Sequence, residues 1–91
     1  MTVEVRLFGP FRDDVGASAL ARDAAGETVG ELLRSLEDEY DALAGRLVDG
    51  DDIAGSTVVT VDERDVRHRE GLGTELDEGD TVRLTPSVYG G

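Results

Sequence analysis

The segment from Thr28 to Tyr40 constrains this chain more than any other. Val29, Leu32, Leu33, Leu36 and Tyr40 recur at helical spacing and form a single apolar stripe. Ahead of them, Thr28-Val-Gly-Glu31 reads as a capping box: the Thr28 hydroxyl accepts from the Glu31 amide, and the Glu31 carboxylate reaches back to the Thr28 amide. Glu37, Asp38 and Glu39 crowd the other end, where the helix dipole disfavours each by a few tenths of a kcal/mol. Packing of the stripe must therefore hold this helix, and something must cover the stripe.

The rest of the chain is mostly β-forming. Thr2–Phe8 alternates, with Val3, Val5 and Leu7 on one face and Glu4, Arg6 and Phe8 on the other, until Gly9-Pro10 ends the strand. Residues 17–25 read as a weak strand, and Ala42–Leu47 as a short helical turn before an acidic loop, Asp49-Gly-Asp-Asp52. Thr57–Val61 is β-branched throughout and reads as a buried strand. Asp62–Asp65 turns the chain, Val66–Arg69 reads as a short edge strand, and 71–76 as a loop. Asp77-Glu-Gly-Asp80 turns into a last strand, Thr81–Thr85, which Pro86 stops because it has no N–H to donate. One main helix with several short strands predicts an α+β fold, a sheet wrapped on the helix stripe. The expected organisation is one domain over 1–85 and a flexible tail over 86–91.

Composition bounds the function. Val, Leu, Ile and Phe make up 24 of the 91 residues, enough for a small core. There is no cysteine, hence no disulfide, thiolate metal site or thiol nucleophile, and a cytoplasmic location is the expectation. No apolar run is long enough to span a bilayer, and Glu4 and Arg6 sit where a signal peptide needs apolar residues. The formal charge of −12 argues against nucleic acid and membrane surfaces as partners. An acidic surface of this kind is also what a halophilic host would impose, with salt screening the self-repulsion.

Enzymatic chemistry is not legible. His68 has neither cysteine nor an ordered carboxylate pair around it in sequence and reads as a surface residue. The Asp49–Asp52 loop fails the calcium pattern at Ile53. Gly71-Leu-Gly73 is only a fragment of a dinucleotide fingerprint, and no serine has a recognisable base. What stands out is the end, Pro86-Ser-Val-Tyr-Gly-Gly91. Extended, this segment reaches roughly 20 Å. Two residues without side chains let a terminal carboxylate enter a channel that any Cβ would block. Such a carboxylate is inert until activated, so the tail reads as a substrate and the globular part as its handle.

Phe8-Gly-Pro-Phe-Arg12, Thr28-Val-Gly-Glu-Leu-Leu33 with Glu39-Tyr40, and Gly79-Asp80 followed by Val82, Pro86, Val88 and Gly90-Gly91 together resemble the small archaeal modifier proteins. Those are similar to the molybdopterin synthase small subunit and the thiamine sulfur carrier. The resemblance spans nearly the whole chain. It implies a β-grasp (ubiquitin-like) fold with four to five strands on one main helix, the first and last strands parallel at the centre. It also implies that Gly91, behind Gly90, is adenylated by a ubiquitin-activating-type enzyme that uses ATP, no cofactor being held by the chain itself. The acyl group would then pass to sulfur, as a C-terminal thiocarboxylate, or to lysines of target proteins, as an isopeptide bond.

Phe8, Pro86, Val88 and Tyr89 are the partner-binding candidates, with an ordinary core position as the alternative for Phe8. Thr85 stands where the family often has an aromatic, and Ser87 where it has a second proline. That weakens the expected docking on a molybdopterin synthase large subunit. The expectation is a monomeric non-enzyme that acts as modifier and sulfur carrier. The alternatives are a dedicated synthase small subunit that only donates sulfur, and an acidic interaction domain with an accidental Gly-Gly.

Overall fold

The structure is a computed structural model that describes residues 2–87. β1 (Val3–Leu7) alternates as the pattern requires, with Val3, Val5 and Leu7 buried. Pro10 does more than end that strand. It opens a short helix, α1 (Pro10–Val15), at a position where its missing N–H has no intrahelical acceptor to lose, and α1 buries Phe11. Six residues are too few to show a readable stripe, so this helix was not expected. β2 (Ala19–Arg22) lies within the weak 17–25 segment and runs antiparallel to β1.

α2 (Val29–Glu39) carries both arms of the capping box. The Glu31 amide donates to Thr28 Oγ1 at 3.2 Å, and the Thr28 amide donates to Glu31 Oε1 at 3.0 Å. Val29, Leu32, Leu33 and Leu36 are buried, and Tyr40 caps the C-terminus half-buried. The acidic end has a use: Glu37 Oε2 accepts from the amides of Leu47 and Val48, both at 3.0 Å. Arg22 holds Glu39 at 2.7 Å.

The next segment differs from expectation in two places. The helical turn is a single 3-10 turn over Asp41–Leu43. The acidic loop is the tip of a small hairpin of β3 (Val48–Asp49) and β4 (Asp52–Ile53). β5 (Thr57–Val61) is the buried strand its composition predicts, and it turns through Asp62 and Glu63 into β6 (Arg64–Asp65). Both turn residues have positive φ, as tight hairpin turns demand.

The edge strand expected over Val66–Arg69 is absent. Val66–His68 is a 3-10 turn capped by the Asp65 carboxylate, which accepts from the Arg67 amide at 2.9 Å. Burial of Val66 pulls this segment under the sheet instead of along its edge. β7 (Thr81–Pro86) ends at Pro86, which pairs with Thr57.

The five-stranded sheet has the order β2-β1-β7-β5-β6. β1 and β7 pair in parallel at its centre, and every other pairing is antiparallel. The apolar stripe of α2 joins the inward residues of β1, β5 and β7 in one core, with Leu43, Leu47, Ile53 and Leu76 closing its rim. This is the β-grasp arrangement implied by the family resemblance. Among the described residues, no helix is long and apolar enough to cross a membrane.

Candidate functional site: the exit of the central strand

The sequence places the candidate chemistry at the far end of β7. Gly90 and Gly91 lie outside the described residues, as do Val88 and Tyr89; of the flexible tail expected over 86–91, Pro86 instead belongs to β7 and Ser87 is hydrogen-bonded to Ser56. What the structure defines is the point from which residues 88–91 depart.

That exit is held from three sides. β1 and β7 keep their parallel register through Leu7 and Leu84, and the Phe8 amide donates to the Leu84 carbonyl at 3.1 Å. Gly9 comes so close to Pro86 that a Cβ there would lie 3.3 Å from the proline Cγ. Gly9 also has φ +57, a left-handed conformation that glycine adopts without strain. On the other side, the Ser87 amide donates to the Ser56 carbonyl at 2.8 Å, so backbone pairing continues one residue beyond β7. The tail therefore leaves from a fixed frame. Sequence reasoning missed Gly9 and Ser56 as parts of it, since Gly9 was read as a strand end and as one residue of the Phe8–Arg12 motif, and Ser56 carried no signal.

Phe8 resolves to the exposed alternative. It is 39% exposed, the one large hydrophobic side chain so open among the described residues. Alternation puts it on the outer face of the sheet with Glu4 and Arg6. Extending the β1–β7 register by one residue sets it beside Thr85, which pairs with Val58 on β5. Phe8, Thr85, Val58 and Pro86 thus flank the exit. Pro86 and Thr85 are half-buried.

The charge of this face departs from that of the chain. The outward positions of β1, β5 and β7 are Glu4, Arg6, Phe8, Val58, Thr60, Thr81, Arg83 and Thr85. Arg6 and Arg83 are register neighbours, and Arg6 Nε donates to Glu4 Oε1 at 2.9 Å. On these three strands Glu4 stands against two guanidiniums, and Asp65 of β6, the register partner of Thr60, adds a second carboxylate, so the outer sheet is close to balanced on a chain of formal charge −12. A partner meets little repulsion there, and an apolar side chain to cover.

The opposite end of β7 is acidic. Gly79, with φ +85, and Asp80 form the turn into the strand. The Asp77 amide donates to Asp80 Oδ2 at 2.8 Å, and the Thr81 amide to Asp62 Oδ1 at 3.0 Å. Burial raises Asp80 above the usual carboxylate range, and the Asp62 carboxylate beside it adds to that. A hydrogen bond from Asp80 lowers Asp62, helped by the Thr81 amide. Nearby, Arg69, Glu70, Thr74, Glu75 and Asp77 line an open polar cleft of about 580 Å³. His68 is exposed, and among the described residues no group of His, Asp and Glu side chains could hold a metal ion.

Comparison with known proteins places this geometry. The chain is 44% identical over 92 residues to small archaeal modifier protein 3 of Haloferax volcanii, with both proteins covered in full. It is 34% identical over 71 residues to the sulfur carrier protein CysO of Mycobacterium tuberculosis, covering 75% of this chain and 76% of that protein. The solution structure of small archaeal modifier protein 1 from Methanosarcina acetivorans superposes with a TM-score of 0.84 at 33% identity, covering 99% of this chain and 96% of that one. Residues 5–91 match the ThiS family. With its ubiquitin-like β-grasp sheet and its match extending to Gly91, this chain belongs to the ThiS family.

Proposed function

We propose that this chain is a ubiquitin-like protein modifier and sulfur carrier that works through the carboxylate of Gly91, in the cytoplasm and without catalytic activity of its own. A ubiquitin-activating-type enzyme adenylates that carboxylate with ATP, releasing pyrophosphate. Activation is needed because a carboxylate has no adequate leaving group, whereas an acyl-adenylate can expel AMP. Attack on the acyl carbon by a sulfide-level sulfur nucleophile, with loss of AMP, then yields the thiocarboxylate; attack by a target lysine amine, with loss of AMP and a proton, yields the isopeptide. The oxyanion formed in either step must be stabilised by the partner, which supplies the hydrogen-bond donors.

The observation that carries this reading is the clamped exit. Gly9, Ser56 and the β1–β7 register fix where a tail ending in Gly-Gly begins, and Phe8 stands exposed beside it on a sheet face whose charges nearly balance. A handle for a partner enzyme needs those two features together. Thr85 at the position beside Phe8 supplies no second aromatic, which favours the modifier over a subunit dedicated to a synthase.

ATP–pyrophosphate exchange with the activating enzyme of the same host tests the first step. Exchange should depend on the added protein and vanish when Gly90 and Gly91 are deleted. Equal exchange with the truncated chain would remove the basis for the proposal.

A further inference from the structure

All nine basic side chains are arginines, and the chain contains no lysine. Local contacts explain part of this. Arg22 spreads its guanidinium over the Ala21 carbonyl, Glu39 and the Tyr40 hydroxyl. Arg46 pairs with Asp14 and lies over the Phe11 ring, 5.0 Å from its centre. Those are planar, multi-donor contacts that an ammonium cannot reproduce.

Arg12 and Arg64 are different. Both are exposed, and neither side chain makes a hydrogen bond, ion pair or ring contact among the described residues. Arg12 sits in α1, where lysine has nearly the same propensity. Arg64 sits on the edge strand β6, where lysine is a common guard. An acidic protein prefers arginine where it forms bidentate ion pairs, but these two form none. The fold does not ask for a guanidinium at either site.

What the substitution removes is a primary amine. A guanidinium stays protonated at any physiological pH and is not a nucleophile, whereas a deprotonated lysine amine is. In the chemistry proposed above, the amine lone pair forms a C–N bond to the Gly91 carbonyl carbon. The C–O bond to AMP breaks, AMP leaves with the electron pair, and the amine proton passes to water or to a base of the partner enzyme. An activated copy surrounded by lysine-bearing copies would spend its acyl group on them.

We propose that this protein is a donor-only modifier: its lysine-free surface keeps copies from acylating one another, so that it is added singly to targets and builds no chains on itself. The inference rests on the modifier reading. The backbone α-amine lies outside this restriction, which concerns side chains alone.

The test uses the full chain with the host's activating enzyme, ATP and a lysine-bearing target protein, read by denaturing gel and by mass spectrometry of tryptic peptides. Arg12→Lys and Arg64→Lys keep charge and local propensity and add one amine each. Wild type should give target conjugates and no self-linked species, and each variant should gain a self-linked band with Gly91 joined at position 12 or 64. Self-linked wild-type chains would overturn the inference while leaving the modifier reading intact. So would variants that modify the target yet never link to themselves. If no target lysine is modified by any of the proteins, the modifier reading fails and the inference falls with it.

Discussion

Replacing Glu37 with alanine should cost this protein about 2 kcal/mol, although the helix dipole alone says the change should help. Glu37 lies in the last turn of α2, where a carboxylate faces the negative end of the dipole. Removing it gains roughly 0.3–1 kcal/mol on that account. But Glu37 Oε2 accepts from two amides, Leu47 and Val48, at 3.0 Å each, and these fasten the chain after α2 to the helix end. Hydrogen bonds to a charged acceptor contribute about 1.5–3 kcal/mol each, and the alanine variant leaves both donors unpaired, with Leu47 fully buried.

After discounting for the half-buried Val48, a loss of about 3 kcal/mol stands against a gain of under ~1. Asp38, one residue on, is exposed and its side chain makes no hydrogen bond or ion pair among the described residues, so Asp38→Ala should stabilise by a few tenths of a kcal/mol. Thermal unfolding followed by circular dichroism in one buffer compares the two variants. Glu37→Ala should lose about 10 °C in Tm on the scaling for domains of this size. If it proved as stable as Asp38→Ala, the hydrogen bonds would be worthless and the dipole the controlling term.

Three further outcomes follow from the geometry. A phenylalanine offers roughly 200 Å², so the 39% left open at Phe8 is worth ~2 kcal/mol on docking; Phe8→Ala should weaken binding to the activating enzyme about 30-fold, by calorimetry, while losing less Tm than Leu7→Ala. Because Asp80 is raised in the folded state, the native protein holds that proton more readily than the unfolded chain, a contribution favourable at low pH and lost as pH rises through the raised value. Asp80→Asn supplies a permanent donor toward Asp62, so thermal scans should show it more stable than wild type at neutral pH, with the gap closing as the carboxylates protonate; a constant gap would disconnect it from that proton. With a formal charge of −12, the unfolding midpoint should rise between low and molar salt, and equal stability in both would count against screening as the stabilising agent.

The sequence disclosed the elements whose signals are local. α2 was legible because its stripe and its capping box agree, and β5 because five β-branched residues leave little choice. α1 was not, since six residues cannot show a period and Pro10 punctuates either a strand end or a helix start. Val66–Arg69 misled because burial of Val66, a tertiary matter, overrides a β-like composition. The parallel pairing of β1 and β7 came from family resemblance, because alternation says which face is buried and never which strand lies alongside.

The site divides in the same way. Gly90, Gly91 and Phe8 could be picked out by residue type, whereas the approach of Gly9 to Pro86 and the bond from Ser87 to Ser56 join segments far apart in sequence. Glu37 looked like a liability until its two amide donors came into view.

The central claim, that Gly91 is the reacting end of the molecule, is tested most directly by intact mass spectrometry of the protein from its own host, beside a variant lacking Gly90 and Gly91, with tryptic peptides searched for adducts. The prediction is a terminal OH-to-SH exchange at Gly91, Gly91 joined to lysines of other proteins, or both, all absent from the truncated variant. An unmodified terminus and no Gly91 adducts across growth conditions would contradict it, and would leave an acidic domain whose last two glycines do nothing.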